Sequence, residues 1–195
     1  MKLKDKKIGF AFTGSFCTFK KTIPQLRKIV EEEGGKIIPI MSFNTYTMDT
    51  KFGNSKDFIK EIEEISNNKI IHTIQGAEPI GPQNLTDIMI VAPCSGNTIA
   101  KLANGITDTP VLMSVKSHLR NSNPVVLAIS TNDGLSGSAA NIGTLLNRTN
   151  YFFVPFRQDN PITKPRSLVF DPDYIIPTLE AALEREQIQP IIKWF

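Results

Sequence analysis

The amino-acid sequence predicts an α/β fold: a three-layer, doubly wound parallel sheet of about six strands with helices on both faces. Three observations carry this. Apolar runs of strand length that show no alternation recur at Ile8–Phe12, Ile37–Met41, Ile88–Ala92 and Val125–Ile129, the pattern of strands buried on both faces. Amphipathic helical patterns separate these runs, as parallel strands require a crossover between them. Small polar loops follow two of the strands at once, Gly14-Ser15 after the first and Cys94-Ser95-Gly96-Asn97-Thr98 after the fourth. A length of 195 residues fits one domain, 1–195, with a sizeable core.

In order, the first strand is Lys7–Thr13, and the helix after it places Phe19, Ile23, Leu26 and Val30 on one face. Pro24 should kink that helix or mark a ragged first turn. Gly34-Gly35 ends it and Lys36–Met41 is the second strand, giving a right-handed β-α-β unit. Ser42 opens a loop to Asn54, and Ser55 caps a helix bearing Phe58, Ile62 and Ile65. Lys69–Ile74 reads as a third strand and Gln75–Leu85 as an irregular loop. The fourth strand, Ile88–Ala92, is stopped by Pro93, which has no N–H for a ladder.

A helix with Ile99, Leu102 and Ala103 on one face follows, ended by Gly105. Thr109-Pro110 starts the next helix, Thr as N-cap and Pro at the first position, with Val111, Val115 and Leu119 facing inward. Pro124–Ser130 is the fifth strand, Ser136–Leu146 a helix, and Tyr151–Pro155 the sixth strand. Phe156–Ser167 reads as a loop. Asp171-Pro172 opens a last helix with Tyr174, Ile175, Leu179 and Leu183 as core candidates, interrupted by Pro177.

The common strand order 3-2-1-4-5-6 makes strands one and four neighbours whose following loops diverge, and ligands bind in that crevice. It brings Gly14-Ser15 and the segment Pro93–Thr98 to one site. Free N–H groups at a helix start, with short hydroxyl and amide side chains, suit anionic or carbonyl oxygens. A lone Ser or Asn there could equally just cap a helix. The turn Thr13-Gly14-Ser15-Phe16-Cys17-Thr18 lacks both Gly-x-Gly-x-x-Gly and the P-loop Lys-Ser/Thr. It therefore disfavours NAD in the usual manner and ATP.

Composition excludes several classes. Hydrophobic content is 41% and charged content 21%, ordinary for a soluble globular chain. No apolar run reaches a membrane span, and the basic start leads into a strand rather than a signal core. A net charge of +3, from scattered basic residues, is too slight to argue nucleic-acid binding. Two cysteines, Cys17 and Cys94, make no disulfide framework and point to a reducing cytoplasm. No histidine or cysteine pair has metal-ligand spacing, so no metal is assigned.

The stretch from Pro93 to Asp108 resembles the Pro-Ala-Ser-Ala-Asn-Thr flavin loop of the homo-oligomeric flavin-containing cysteine decarboxylase superfamily, with its Ala-Lys-Leu-Ala-Asn-Gly-Ile-Ala-Asp helix. Cys94 and Gly96 replace the two alanines of that loop. The turn Thr13–Phe16 resembles the superfamily's Thr-Gly-Ser-Ile turn. Further segments resemble one branch, the B subunits of dipicolinate synthase: Pro39–Asn44, Ala128–Asp133, Ala140–Gly143, Phe153–Phe156 with Gln158–Pro161, and Gln187–Pro190. Lys193-Trp194-Phe195 finds no counterpart.

The resemblance implies a Rossmann-like flavoprotein fold and FMN, held by Gly14, Ser15, Phe16, Ser42, Pro93, Cys94, Ser95, Asn97, Thr98, Ser130 and Asn132. It implies the A subunit of dipicolinate synthase as a partner carrying NAD(P), and a small dicarboxylate substrate. The joint reaction would oxidise a dihydrodipicolinate-level precursor to pyridine-2,6-dicarboxylate in the mother-cell cytoplasm of a spore-forming bacterium. It also implies a homo-oligomer, trimer or dodecamer, with the helix from Pro110 to Arg120 as candidate interface. Alternatives are a non-catalytic scaffold that keeps the flavin fold, or another flavin-dependent enzyme of the superfamily.

Asn44, Arg120 and Asp133 are candidates for substrate or interface contact. Asn132 and Asp133 have a second reading as turn residues, and Ser42 as plain turn chemistry. Arg120 and His118 have one as cations at a helix end, and His72 reads as structural. Catalytic residues are unassigned. The sequence departs from decarboxylating relatives, which follow the fifth strand with a Pro-Ala-Met-Asn type segment and carry a histidine before the flavin strand. Here Ile129–Asp133 stands in the first position, and the only upstream histidine, His72, lies 21 positions before Pro93.

Overall fold

The computed structural model describes residues 2–194; Met1 and Phe195, the ends of the expected domain, lie outside the described residues. Four strands form the parallel heart of the sheet: β1 (Lys7–Phe12), β2 (Lys36–Met41), β3 (Ile88–Cys94) and β4 (Val125–Thr131). Their order is β2-β1-β3-β4, with Phe10 paired to Pro39 on one side and Ile90 on the other. β5 (Tyr151–Phe153) continues the sheet in parallel beside the first half of β4. The adjacency of β1 and β3 is the one the sequence predicts for its first and fourth strands.

Strand parity builds the three layers. Ile88, Ile90 and Ala92 point to one face, where α1 (Phe19–Glu31), α3 (Ser55–Ser66) and α8 (Ile175–Leu183) bring Phe19, Leu26, Ile62, Ile175 and Leu179. Met89 and Val91 point to the other, against α5 (Gly96–Ala103), α6 (Pro110–Leu119) and α7 (Ala139–Leu146) with Ile99, Val111, Val115 and Leu145. Full burial of such side chains contributes about 1.5–3 kcal/mol each. An edge-to-face chain of rings, Phe12–Phe19–Phe58, ties β1 to α1 and α3 at centroid distances of 5.4 and 5.0 Å.

Several expectations are corrected. Phe156–Ser167 is no loop: β6 (Phe156–Asn160) and β7 (Lys164–Phe170) form an antiparallel hairpin, and β7 pairs with the end of β4 through Ser130 and Thr131. The sheet is thus mixed and has seven strands. The third strand shrinks to one bridge, Ile71 beside Ile40, because the Thr73 hydroxyl caps the short α4 (Ile74–Ala77) by accepting from the Gly76 N–H. That bridge still lies outside β2, as the predicted order requires. The expected loop after Ser42 contains α2 (Phe43–Thr47), and a 3-10 turn, Glu78–Ile80, follows α4.

The prolines behave more mildly than expected. Pro93 does not stop β3, which runs to Cys94 with a register irregularity after Val91. Pro177 does not interrupt α8, because it is the third residue of that helix, where the N–H has no intrahelical partner in any case. Pro24 lies inside α1, and a 3-10 turn, Phe16–Thr18, supplies the ragged start. α7 begins at Ala139, after turns over 136–138. No helix is long and apolar enough to cross a membrane among the described residues.

Candidate functional site

The carboxyl ends of β1, β3 and β4 open into one cleft of about 900 Å3, within the range of small-molecule and cofactor sites. A buried hydroxyl joins two of its walls. Thr13 Oγ1 donates to the Pro93 carbonyl at 2.7 Å and accepts the Ser95 N–H at 3.0 Å. It thereby fixes the loop after β3 to the end of β1, 80 positions away. The third wall is tied in by the hydroxyls of Ser15 and Ser130, 2.8 Å apart. Thr13 is missed by sequence reasoning, although a hydroxyl at the end of an apolar strand before Gly14 was a visible signal.

Of the expected residues, Gly14, Ser15, Phe16, Ser95, Asn97, Ser130, Asn132 and Asp133 line this cleft together. Gly14 faces open space: a Cβ there would meet no protein atom within 4 Å. The start of α5 lacks a side-chain cap, so the N–H groups of Gly96, Asn97 and Thr98 have no partner within the helix. Two hydroxyls, a bare glycine and an uncapped helix start are a donor set that fits a phosphate and the carbonyl edge of a flavin ring.

Six expected residues are not brought to the cleft. Pro93 and Cys94 are fully buried at the end of β3, and Pro93 contributes only its carbonyl, to Thr13. Burial pushes the Cys94 thiol well above its usual range, which leaves it an inert core residue. Thr98 is turned inward with its hydroxyl 3.2 Å from that of Ser95. Ser42 caps α2, its Oγ accepting from the Thr45 N–H. Asn44 lies exposed on α2 and Arg120 at the far end of α6, and neither lines the cleft.

Residues the sequence reading missed complete the walls: Lys21 of α1, Thr50 and Phe52 from the loop after α2, and Asp159, Lys164, Ser167, Leu168 and Val169 of the hairpin. Lys164 Nζ donates to Asp159 Oδ2 at 2.5 Å. The cleft's other carboxylate, Asp133, is held differently. Its Oδ1 accepts from Thr131 Oγ1 at 2.5 Å and Ser138 Oγ at 2.8 Å. The Thr131 bond, with help from Ser138, keeps this carboxyl below its usual pKa against a weaker effect of burial. Asp133 therefore stands ionised beside the start of α5, where negative charge is favoured.

Both histidines stay outside the cleft. His72 stacks on Tyr46, the rings 3.8 Å apart and 2° from parallel, as the structural reading expects. His118 departs from its reading as a helix-end cation. It is buried between Thr86 Oγ1 at 2.7 Å and the Pro124 carbonyl at 3.0 Å, and burial lowers its pKa to about 4, so it is neutral. No cluster of three or more potential metal ligands occurs among the described residues.

Comparison with known proteins decides the family. The flavoprotein family model matches residues 1–162, a span that contains both loops and the first strand of the hairpin. The chain belongs to the flavoprotein family. Within this family of flavoproteins it is 44% identical, over 190 residues, to the B subunit of dipicolinate synthase from Bacillus subtilis (strain 168), covering 97% of this chain and 94% of that one. The crystal structure of the dipicolinate synthase B subunit from Bacillus halodurans C superposes with a TM-score of 0.91 at 43% identity, over 100% of this chain and 99% of the other. The resemblance to that branch therefore holds along the whole flavoprotein chain. An FMN-dependent cysteine decarboxylase, SpaF, shares the fold at a TM-score of 0.69 and 15% identity, covering 94% and 99% of the two chains.

Proposed function

We propose that this flavoprotein binds FMN in the cleft and acts as the B subunit of a dipicolinate synthase. With an NAD(P)-binding A subunit, it would oxidise a dihydrodipicolinate-level dicarboxylate to pyridine-2,6-dicarboxylate. One observation carries the reading. The two loops that resemble flavin loops converge on a single open cleft, where Gly14 and the uncapped start of α5 leave donors free. The relatives' designation as one subunit of a synthase supports a partner chain.

Bound flavin supplies a two-electron acceptor. The chain's own residues hold and orient. Gly14, Ser15 and Lys21 form the side suited to a phosphate, and Ser95, Asn97 and Ser130 offer hydrogen bonds to the ring side. The hairpin β6–β7 forms one lateral wall of the cleft through Asp159, Lys164 and Ser167. The test is turnover of the precursor by the A subunit with and without this chain, and with and without added FMN. Acceleration that depends on both is the expected result. Binding of FMN without any acceleration would instead favour the scaffolding role.

A further inference from the structure

A ring that becomes aromatic loses a hydride and a proton, and a positioned base in the cleft would speed the loss of the proton. Its lining includes no histidine, tyrosine, glutamate or arginine among the described residues. The carboxylates are Asp159 and Asp133, and Asp159 is engaged by Lys164. Each has one oxygen that no side chain bonds among the described residues, but Asp159 is exposed and its charge is matched by Lys164, whereas Asp133 is half-buried, has no salt-bridge partner among the described residues and is held through Oδ1 by Thr131 and Ser138. Two glycines make room for this carboxylate. A Cβ on Gly96 would stand 3.0 Å from Oδ1, and one on Gly137 would stand 3.0 Å from Oδ2.

We propose that Asp133 is the catalytic residue that accepts the ring proton when a partly reduced nitrogen-heterocyclic dicarboxylate is aromatised in this cleft, through Oδ2, the oxygen that Thr131 and Ser138 leave unengaged. The proposal rests on the functional reading above. In the step, a ring C–H bond breaks and its electron pair leaves with the hydrogen, as hydride, to an oxidant of the flavin or nicotinamide class. A ring N–H or neighbouring C–H bond gives its proton to Oδ2, and the electrons left behind complete the aromatic system. The ring loses two electrons and two hydrogens, and the oxidant gains the two electrons.

The environment matches that task. Two hydroxyl donors on Oδ1 keep the acceptor ionised and fixed in direction, but they make it a weak base. A weak base suits a proton that aromatisation itself renders acidic, rather than one on an unactivated carbon. The same negative charge disfavours a substrate carboxylate beside the start of α5. Thr131 and Ser138 act only through Asp133 and are positioning residues.

The test uses the full chain together with its A-type partner, and compares wild type with Asp133→Asn. The variant should bind FMN within about threefold of wild type while its turnover number falls roughly 10²- to 10⁴-fold, the usual contribution of a positioned acid or base. Formate should partly restore turnover to Asp133→Ala, which a merely structural role does not allow. Titration of the isolated protein with dipicolinate gives a readout apart from turnover: removing a facing charge in Asp133→Asn should tighten binding about tenfold. Turnover of Asp133→Asn within threefold of wild type, or dipicolinate binding that is unchanged or weaker, overturns the proposal alone. A wild-type chain that fails to accelerate its A-type partner overturns it together with the functional reading.

Discussion

The flavin loop that Pro93–Thr98 resembles has alanine where this chain has Gly96, so Gly96→Ala is the substitution that makes the loop more like its relatives. The structure says that it should do harm. A Cβ at Gly96 would lie 2.6 Å from Thr131 Oγ1, 2.9 Å from Ser138 Oγ and 3.0 Å from Asp133 Oδ1, closer than a methyl group tolerates. In favour of alanine stands helix propensity, at most about 1 kcal/mol in a helix interior and less at the first position of α5. Against it stand the two hydroxyl bonds to the Asp133 carboxylate. Relief of the overlap requires rotating Thr131 or Ser138 off that carboxylate, and a hydrogen bond to a charged group contributes about 1.5–3 kcal/mol. The overlap wins, with a net destabilisation of about 1–3 kcal/mol.

A double-mutant cycle isolates this cause. In an Asp133→Ala background the two hydroxyls lose the partner that fixes them and can swing away from the new methyl. Gly96→Ala should then cost less than about 0.5 kcal/mol, leaving a coupling of about 1 kcal/mol or more between two residues in contact. Urea unfolding followed by circular dichroism on the four proteins gives the numbers. A Gly96→Ala variant as stable as wild type, or an equal cost in both backgrounds, would refute the packing argument.

Other expectations follow from the same geometry. Ser15→Glu should abolish FMN binding, because it sets a carboxylate where the cleft offers donors; a titration indistinguishable from wild type would mean the phosphate sits elsewhere. His118, with its folded pKa lowered to about 4 from an ordinary 6.5, leaves stability intact above about pH 6.5. As pH falls from 6.5 toward 4 the unfolded state binds the proton first, so about 3 kcal/mol should be lost. A His118→Gln variant should lack that part of the slope in urea unfolding, and parallel slopes would contradict the assignment. Incubation with a peptide ending in cysteine, or with phosphopantothenoylcysteine, should release no carbon dioxide above the rate without enzyme, since the histidine and Pro-Ala-Met-Asn segment of decarboxylating relatives are missing from the cleft. In α6 most positions are buried within the chain, and Met113 and Lys116, with Arg120 just past the helix end, form an outward stripe; an oligomer seen by light scattering should weaken with Met113→Glu if that stripe is its interface.

The sheet was legible because its central strands are buried on both faces and so cannot help being continuously apolar. The hairpin was not, because its burial is sparse: Phe156 is the only buried residue of β6, while β7 begins with three exposed positions. The buried stretch, Ser167, Leu168 and Phe170 at the end of β7 with Phe156 opposite, is too short to show a period, and Pro161 and Pro165 added loop signals. The third strand failed for the opposite reason. Lys69–Ile74 has strand composition, but Thr73 hydroxyl capping of α4 competes with the ladder, and only Ile71 pairs.

Within the site, spacing already held more than the loop resemblance used. Thr98 and Leu102 are four apart on α5 and share its buried face, whereas Asn97 and Ala100 turn to the cleft. His118 follows Val111 and Val115 on the buried face of α6, which marks it as a core residue despite its place at a helix end. Asp133 and Gly96 are a different case, since 37 positions separate them in the sequence and only the pairing of β3 with β4 makes them neighbours. Read singly, glycine for alanine in the loop is a lost methyl and Asp133 a turn residue. Read as a contact, the missing methyl is the space taken by the Thr131 and Ser138 hydroxyls that hold the carboxylate. The departure from the family's loop thus coincides with a negative charge at the mouth of α5, and a change of chemistry on a shared frame is expected at such a point.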